Sequence, residues 1–163
     1  MLPKISGITA FVRCVNEAAI RAPGRELWIL HPLGEPLPKS APTTAPQVLL
    51  LDGSWREAAR MMAGVKSWGR LVSLPMTGAS RYLLRDQQGP GNFSTAEALL
   101  FLLGALGATG AQTALRLQFE LHVYAGLRAR GEKPAAEAFL ADSPLRDAMP
   151  ELLAELNRRR PCG

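Results

Sequence analysis

The chain has 163 residues and a mass of 17.6 kDa; 47% of its residues are hydrophobic, 20% are charged, and 19 Lys and Arg against 14 Asp and Glu give a net charge of +5. That length suits one packed domain rather than two of ordinary size, and the apolar fraction excludes a disordered polyelectrolyte. The basic excess permits a phosphate-bearing partner without requiring one.

The first residues hold no charged-then-apolar targeting pattern, because Pro3, Lys4 and Gly7 interrupt them, so a cytoplasmic location is expected by default. Glu26 to His31, "ELWILH", and Gln47 to Asp52, "QVLLLD", are short apolar runs that predict buried strands. Between them "PLGEPLPKSAPTTAP" carries five prolines, which sustain neither a helix nor a central strand, so a surface connection is expected there. His31, before Pro32 at a strand end, reads as structural. A third strand is predicted over Arg70 to Leu74, stopped by Pro75.

The join after the second strand, "LLLDGSWREAAR", sets a carboxylate, a hydroxyl and an indole side by side. Ser54 and Glu57 fit the S-x-x-E capping box of a helix start. Asp52 ends an apolar strand ahead of that helix, in the crevice where open α/β sheets bind ligands. Trp55 adds nothing to a cap; it is either core or a flat face for a base, and base–aromatic stacking is worth about 1–3 kcal/mol.

The loop "SRYLLR" follows, and its Arg81 and Arg85 suit a phosphate or a carboxylate. The glycine-rich "DQQGPGNF" then leads into Ser94-Thr95-Ala96-Glu97, a second S-x-x-E box. From Ala96 onward the chain is alanine- and leucine-rich, with breaks at Gly107 to Gly110, Gly131 to Pro134 and Ser143-Pro144, so helices are expected. Leu115 to Val123 alternates apolar and polar with a strand's period, but composition and length favour a helix. The longest uncharged run, Ala98 to Leu115, has too few strongly apolar residues for a bilayer span. Cys14 and Cys162 form no CxxC pair, so neither a disulfide framework nor a metal site is expected. Strands joined to helices, then a helical C-terminal part, predict an α/β fold with a mostly parallel central sheet.

Taken in order, these motifs resemble the DTW-domain family, named for a D-x-T-W motif that appears here as Asp52-Gly53-Ser54-Trp55. The likeness extends from His31-Pro32 through "SRYLLR" to "STAEA", similar to the family's S-T-x-E-A signature, and covers roughly His31 to Ala98. The resemblance implies a single DTW-like domain over 1–163, related to the knotted SPOUT-type α/β fold. It further implies a tRNA-uridine aminocarboxypropyltransferase with S-adenosylmethionine as donor. Family members commonly carry an N-terminal cysteine cluster that looks like a zinc ribbon; this chain has Cys14 alone there.

On that resemblance Asp52, Ser54 and Trp55 are the expected catalytic residues. Leu74, Pro75, Tyr82, Ser94, Thr95 and Glu97 are expected to bind the donor, and Arg56, Arg81 and Arg85 to meet RNA. Asp52 either accepts the uridine N3 proton or holds the donor's ammonium. The alternatives are a SPOUT-like RNA methyltransferase and a non-catalytic RNA-binding module. No membrane partner is expected, and the oligomeric state stays open.

Overall fold

A computed structural model describes residues 16–38, 44, 46–85 and 91–158. The fold is α/β, with a three-stranded parallel sheet, flanking helices and a helical C-terminal part. The chain clusters into two compact units, Met1–Thr77 with Thr95–Ala108, and Gly78–Ser94 with Thr109–Gly163.

The first unit is built on strands β1 (Leu27–Pro36), β2 (Gln47–Leu49) and β3 (Arg70–Ser73), in the order β2-β1-β3. The central strand is covered: Leu27, Trp28 and Ile29 are at most 2% exposed, as expected for a parallel strand read as an unbroken apolar run. Helix α1 (Trp55–Val65) connects β2 to β3, which lie on opposite sides of β1. Helix α2 (Thr95–Ala105) closes the unit in sequence, with Leu102 and Leu103 buried. Ahead of β1, a short 3-10 turn (Glu17–Ala19) is tied to the sheet through Gln47. The Gln47 amide accepts from the Ala22 N–H at 2.9 Å and donates to the Ile20 carbonyl.

Two strand expectations are corrected. β2 stops at Leu49, so Asp52 lies in the turn beyond the strand and does not end it. The proline-rich connection begins later than expected, because Pro32 to Pro36 belong to β1. Pro32 is tolerated there because pairing with β3 jumps from Leu30↔Val72 to Glu35↔Val72, leaving residues 31–34 in a bulge outside the ladder, while Pro36, opposite Ser73, is the last residue of the strand. Arg70 Nε donates to Glu35 Oε2 at 2.9 Å across the resumed pairing. Gly34 lets the bulge press on β3, since a Cβ there would stand 2.5 Å from the Val72 nitrogen. Gly34→Ala must therefore move backbone; a loss of about 1–3 kcal/mol in unfolding free energy is expected by denaturant titration.

In the second unit, α3 (Thr109–Ala129), α4 (Lys133–Ala141), α5 (Leu145–Ala148) and α6 (Pro150–Asn157) pack in succession. The segment of alternating polarity is helical. Its buried positions, Phe119, Glu120, Val123, Tyr124 and Leu127, follow three-and-four spacing, and this face packs on α4 and α5. Phe139, Leu140 and Leu145 complete the core, and the Tyr124 hydroxyl donates to Asn157 Oδ1 at 3.0 Å. The breaks fall as expected at Gly107, Gly131 and Pro144, with one more before Pro150, which starts α6. No described helix is long and apolar enough to cross a membrane.

Candidate functional site

The turn after β2 sets the first constellation. Ser54 caps α1 with extended backbone dihedrals, and the full capping box forms. The Ser54 N–H and hydroxyl donate to Glu57 Oε2 at 2.8 and 2.6 Å, and the Glu57 N–H returns to Ser54 Oγ at 3.4 Å. Gly53 leaves room for this loop, since a Cβ there would meet the Glu57 Cβ at 3.1 Å. The Glu57 carboxylate is held below its ordinary range by the Ser54 hydroxyl, then by the Ser54 backbone N–H, with Arg60 adding a small attraction and desolvation opposing.

Because the folded value is the lower one, the cap's stabilisation is fully present above the ordinary glutamate value of about 4.3 and is lost as pH falls through the depressed value. The denaturation midpoints of the wild type and Glu57→Ala are thus expected to differ most near neutral pH and to converge as pH falls below the ordinary glutamate range and through the depressed value. A constant gap would deny the carboxylate this part.

The cap accounts for Ser54 and Glu57 but not for their neighbours. Asp52 is exposed and makes no hydrogen bond or ion pair among the described residues. Trp55, 41% exposed at the first position of α1, is not core. Arg56 beside it is exposed. Since β1, β2 and β3 run parallel, Asp52 and Trp55 lie beyond the carboxyl end of the sheet, where Leu74 and Pro75 also leave β3. His31 opens the β1 bulge, its Nδ1 accepting from the Leu33 N–H at 3.1 Å.

The second serine motif starts α2 directly: Ser94 precedes the helix, Thr95 opens it and Glu97 is buried in its first turn. Part of the glycine-rich approach, 86–90, lies outside the described residues, as do Cys14 and Cys162. Among the described residues no group of three or more His, Cys, Asp or Glu is placed to hold a metal ion.

The "SRYLLR" loop belongs to the second unit and is anchored on α3. Leu84 is buried against Gly126, where a Cβ would come within 2.6 Å of it. The Tyr82 ring lies 6.1 Å from that of Phe119 and 6.3 Å from that of His122, the latter pair within 9° of parallel. Arg81 Nη2 meets Glu120 Oε2 at 3.0 Å and the Phe139 carbonyl at 3.3 Å, while its guanidinium lies 4.4 Å from the Phe139 ring centroid. Arg116 Nε takes the other Glu120 oxygen at 3.1 Å. Glu120 was not singled out from sequence, although its i+3, i+4 and i+7 neighbours Val123, Tyr124 and Leu127 mark a buried helix face.

No solved structure matches the chain. The DTW domain matches residues 13–126, more than half of the sequence, and takes in the turn after β2, the arginine loop and α2. The chain belongs to the DTW-domain family, which is consistent with a tRNA-modifying function and with tRNA as a partner.

Proposed function

We propose that the protein transfers the 3-amino-3-carboxypropyl group of S-adenosylmethionine to N3 of a uridine in tRNA. The observation that carries this reading is the exposed pair Asp52 and Trp55 at the carboxyl end of a parallel sheet, in a chain of this family. The capping box explains neither residue. The donor brings a cationic sulfonium, an ammonium and an adenine ring, which suit an exposed carboxylate and an open indole.

The reaction forms a bond from uridine N3 to the terminal carbon of the aminocarboxypropyl chain and breaks that carbon's bond to sulfur. The bonding pair leaves with sulfur as neutral methylthioadenosine, and the N3 proton goes to a base or to water. Because the sulfonium is already a good leaving group, the protein's main tasks are orientation and proton removal. Asp52 serves as proton acceptor, directly or through water, or as partner of the donor ammonium. Ser54 fixes the turn and Trp55 packs on a ring. Leu74, Pro75, Thr95 and Glu97 contribute donor contacts, with Arg56 and Arg85 facing RNA.

The test is nucleoside mass spectrometry of tRNA incubated with the protein and S-adenosylmethionine. An aminocarboxypropyl mass addition with methylthioadenosine as by-product is expected. Methyl addition with adenosylhomocysteine would assign the chain to methyl transfer, and no addition to any substrate tRNA would leave it a binding module.

A further inference from the structure

We propose that the second unit carries its own single-stranded RNA contact, formed by Arg85, Tyr82, His122 and Arg116, which takes a nucleotide's base on the rings and its phosphate on the guanidinium groups. The proposal deepens the tRNA reading above and rests on it for the identity of the polymer.

The cations come from two elements brought together by the Leu84 anchor. The Arg85 guanidinium lies 5.1 Å from the Tyr82 ring centroid and is held by no ion pair among the described residues. Arg116 keeps 53% of its side chain exposed despite its bond to Glu120. Among the described residues Glu120 is the carboxylate of this cluster; it is 1% exposed and occupied on both oxygens by Arg81 and Arg116. Three described arginines thus stand against one described acid, and that acid is buried. Beside Arg85 lie the Tyr82 and exposed His122 rings, within 9° of parallel, while Arg116 joins the loop through the Glu120 carboxylate that it shares with Arg81. Adjacent cations and aromatic faces are what a flexible strand needs, because phosphates answer to charge while every base has a face to stack.

Two consequences separate this surface from general basicity. An acidic peptide would use the arginines and ignore the rings, so the aromatic contribution favours nucleic acid. Arg81 acts as the brace that fixes the loop on α3, while Arg85 is the residue that meets the polymer. Tyr82, which the sequence resemblance places with the donor, here belongs to the RNA surface.

The test is fluorescence anisotropy of the full chain with labelled tRNA transcript and with a labelled oligouridylate, without donor, over a series of salt concentrations. Arg85→Gln should weaken binding about tenfold and lower the slope of log affinity against log salt by about one. Tyr82→Ala should weaken binding about fivefold or more with an unchanged slope, and Tyr82→Phe should bind as the wild type does. Lys133→Gln, a cation elsewhere on this unit, is the charge control and should leave both readings unmoved.

Wild-type affinity in Arg85→Gln, an equal loss in Lys133→Gln, or displacement of the RNA by polyglutamate as readily as by unlabelled oligouridylate would each overturn the proposal. If the transferase reading fails, donor-free binding still responds to Arg85→Gln. If the surface is wrong, product can form while the variants bind normally.

Discussion

Asp52→Asn should reduce formation of modified uridine by about 100-fold or more, the usual scale for losing a positioned proton acceptor or a charged substrate contact, with the unfolding midpoint unchanged. The second half follows from structure: Asp52 is exposed and bonds to no described residue, so its loss breaks nothing in the fold. The capping bonds of α1 run through Ser54 and Glu57 and survive the substitution. The two roles proposed for the carboxylate separate kinetically. A proton acceptor lost to the amide lowers kcat and leaves the apparent KM for S-adenosylmethionine nearly alone, whereas a lost ammonium partner raises that KM. Near-normal product from a folded Asp52→Asn would remove this residue from the reaction. Trp55→Ala is the companion measurement, because an indole 41% exposed costs little stability when removed.

The site legible in the sequence was the part set by local chemistry. The S-x-x-E pattern places the start of α1 because the cap is an interaction over three residues, and the bonds observed are those the pattern names. The buried strands were legible for a similar reason, since an unbroken apolar run such as "LWIL" has no polar face to show to water. Where the sheet departs from expectation, the cause is nonlocal. Pro32 to Pro36 enter β1 only because the pairing skips a segment opposite Val72, and nothing within the five residues announces that.

The helix over Leu115 to Val123 shows the opposite case, a local alternation overruled by packing. With Phe119, Val123 and Leu127 on one buried face, the intervening Leu121 and Leu117 are left half-buried, and the apparent period of two comes from a helix apolar on more than one side. The arginine loop was legible as a loop, but the division of labour within it was not. Arg81 and Arg85 look alike in sequence, and they part only when Glu120, far along the chain, claims Arg81.

That claim sets the largest stability effect expected in the chain. Glu120 is 1% exposed, and each of its oxygens is held by a different arginine, Arg81 at 3.0 Å and Arg116 at 3.1 Å. Arg116 is the more exposed of the two and lies on the same helix, so Arg116→Ala should cost only about 0.5–1 kcal/mol. Arg81→Ala removes a charge-assisted bond together with the contacts to Phe139, and about 2–3 kcal/mol is expected. Either variant leaves the carboxylate one cation. The double variant leaves none, and a buried carboxylate stripped of both cations costs about 3–5 kcal/mol or more, beyond the sum of the single losses. Replacing the acid in that background, as Arg81→Ala/Arg116→Ala/Glu120→Leu, should recover most of the loss, because an apolar side chain of similar size needs no partner there. Denaturant unfolding of the four variants measures each step. Strict additivity of the single losses, or no recovery on removing Glu120, would show that the carboxylate is not what binds the arginine loop to α3.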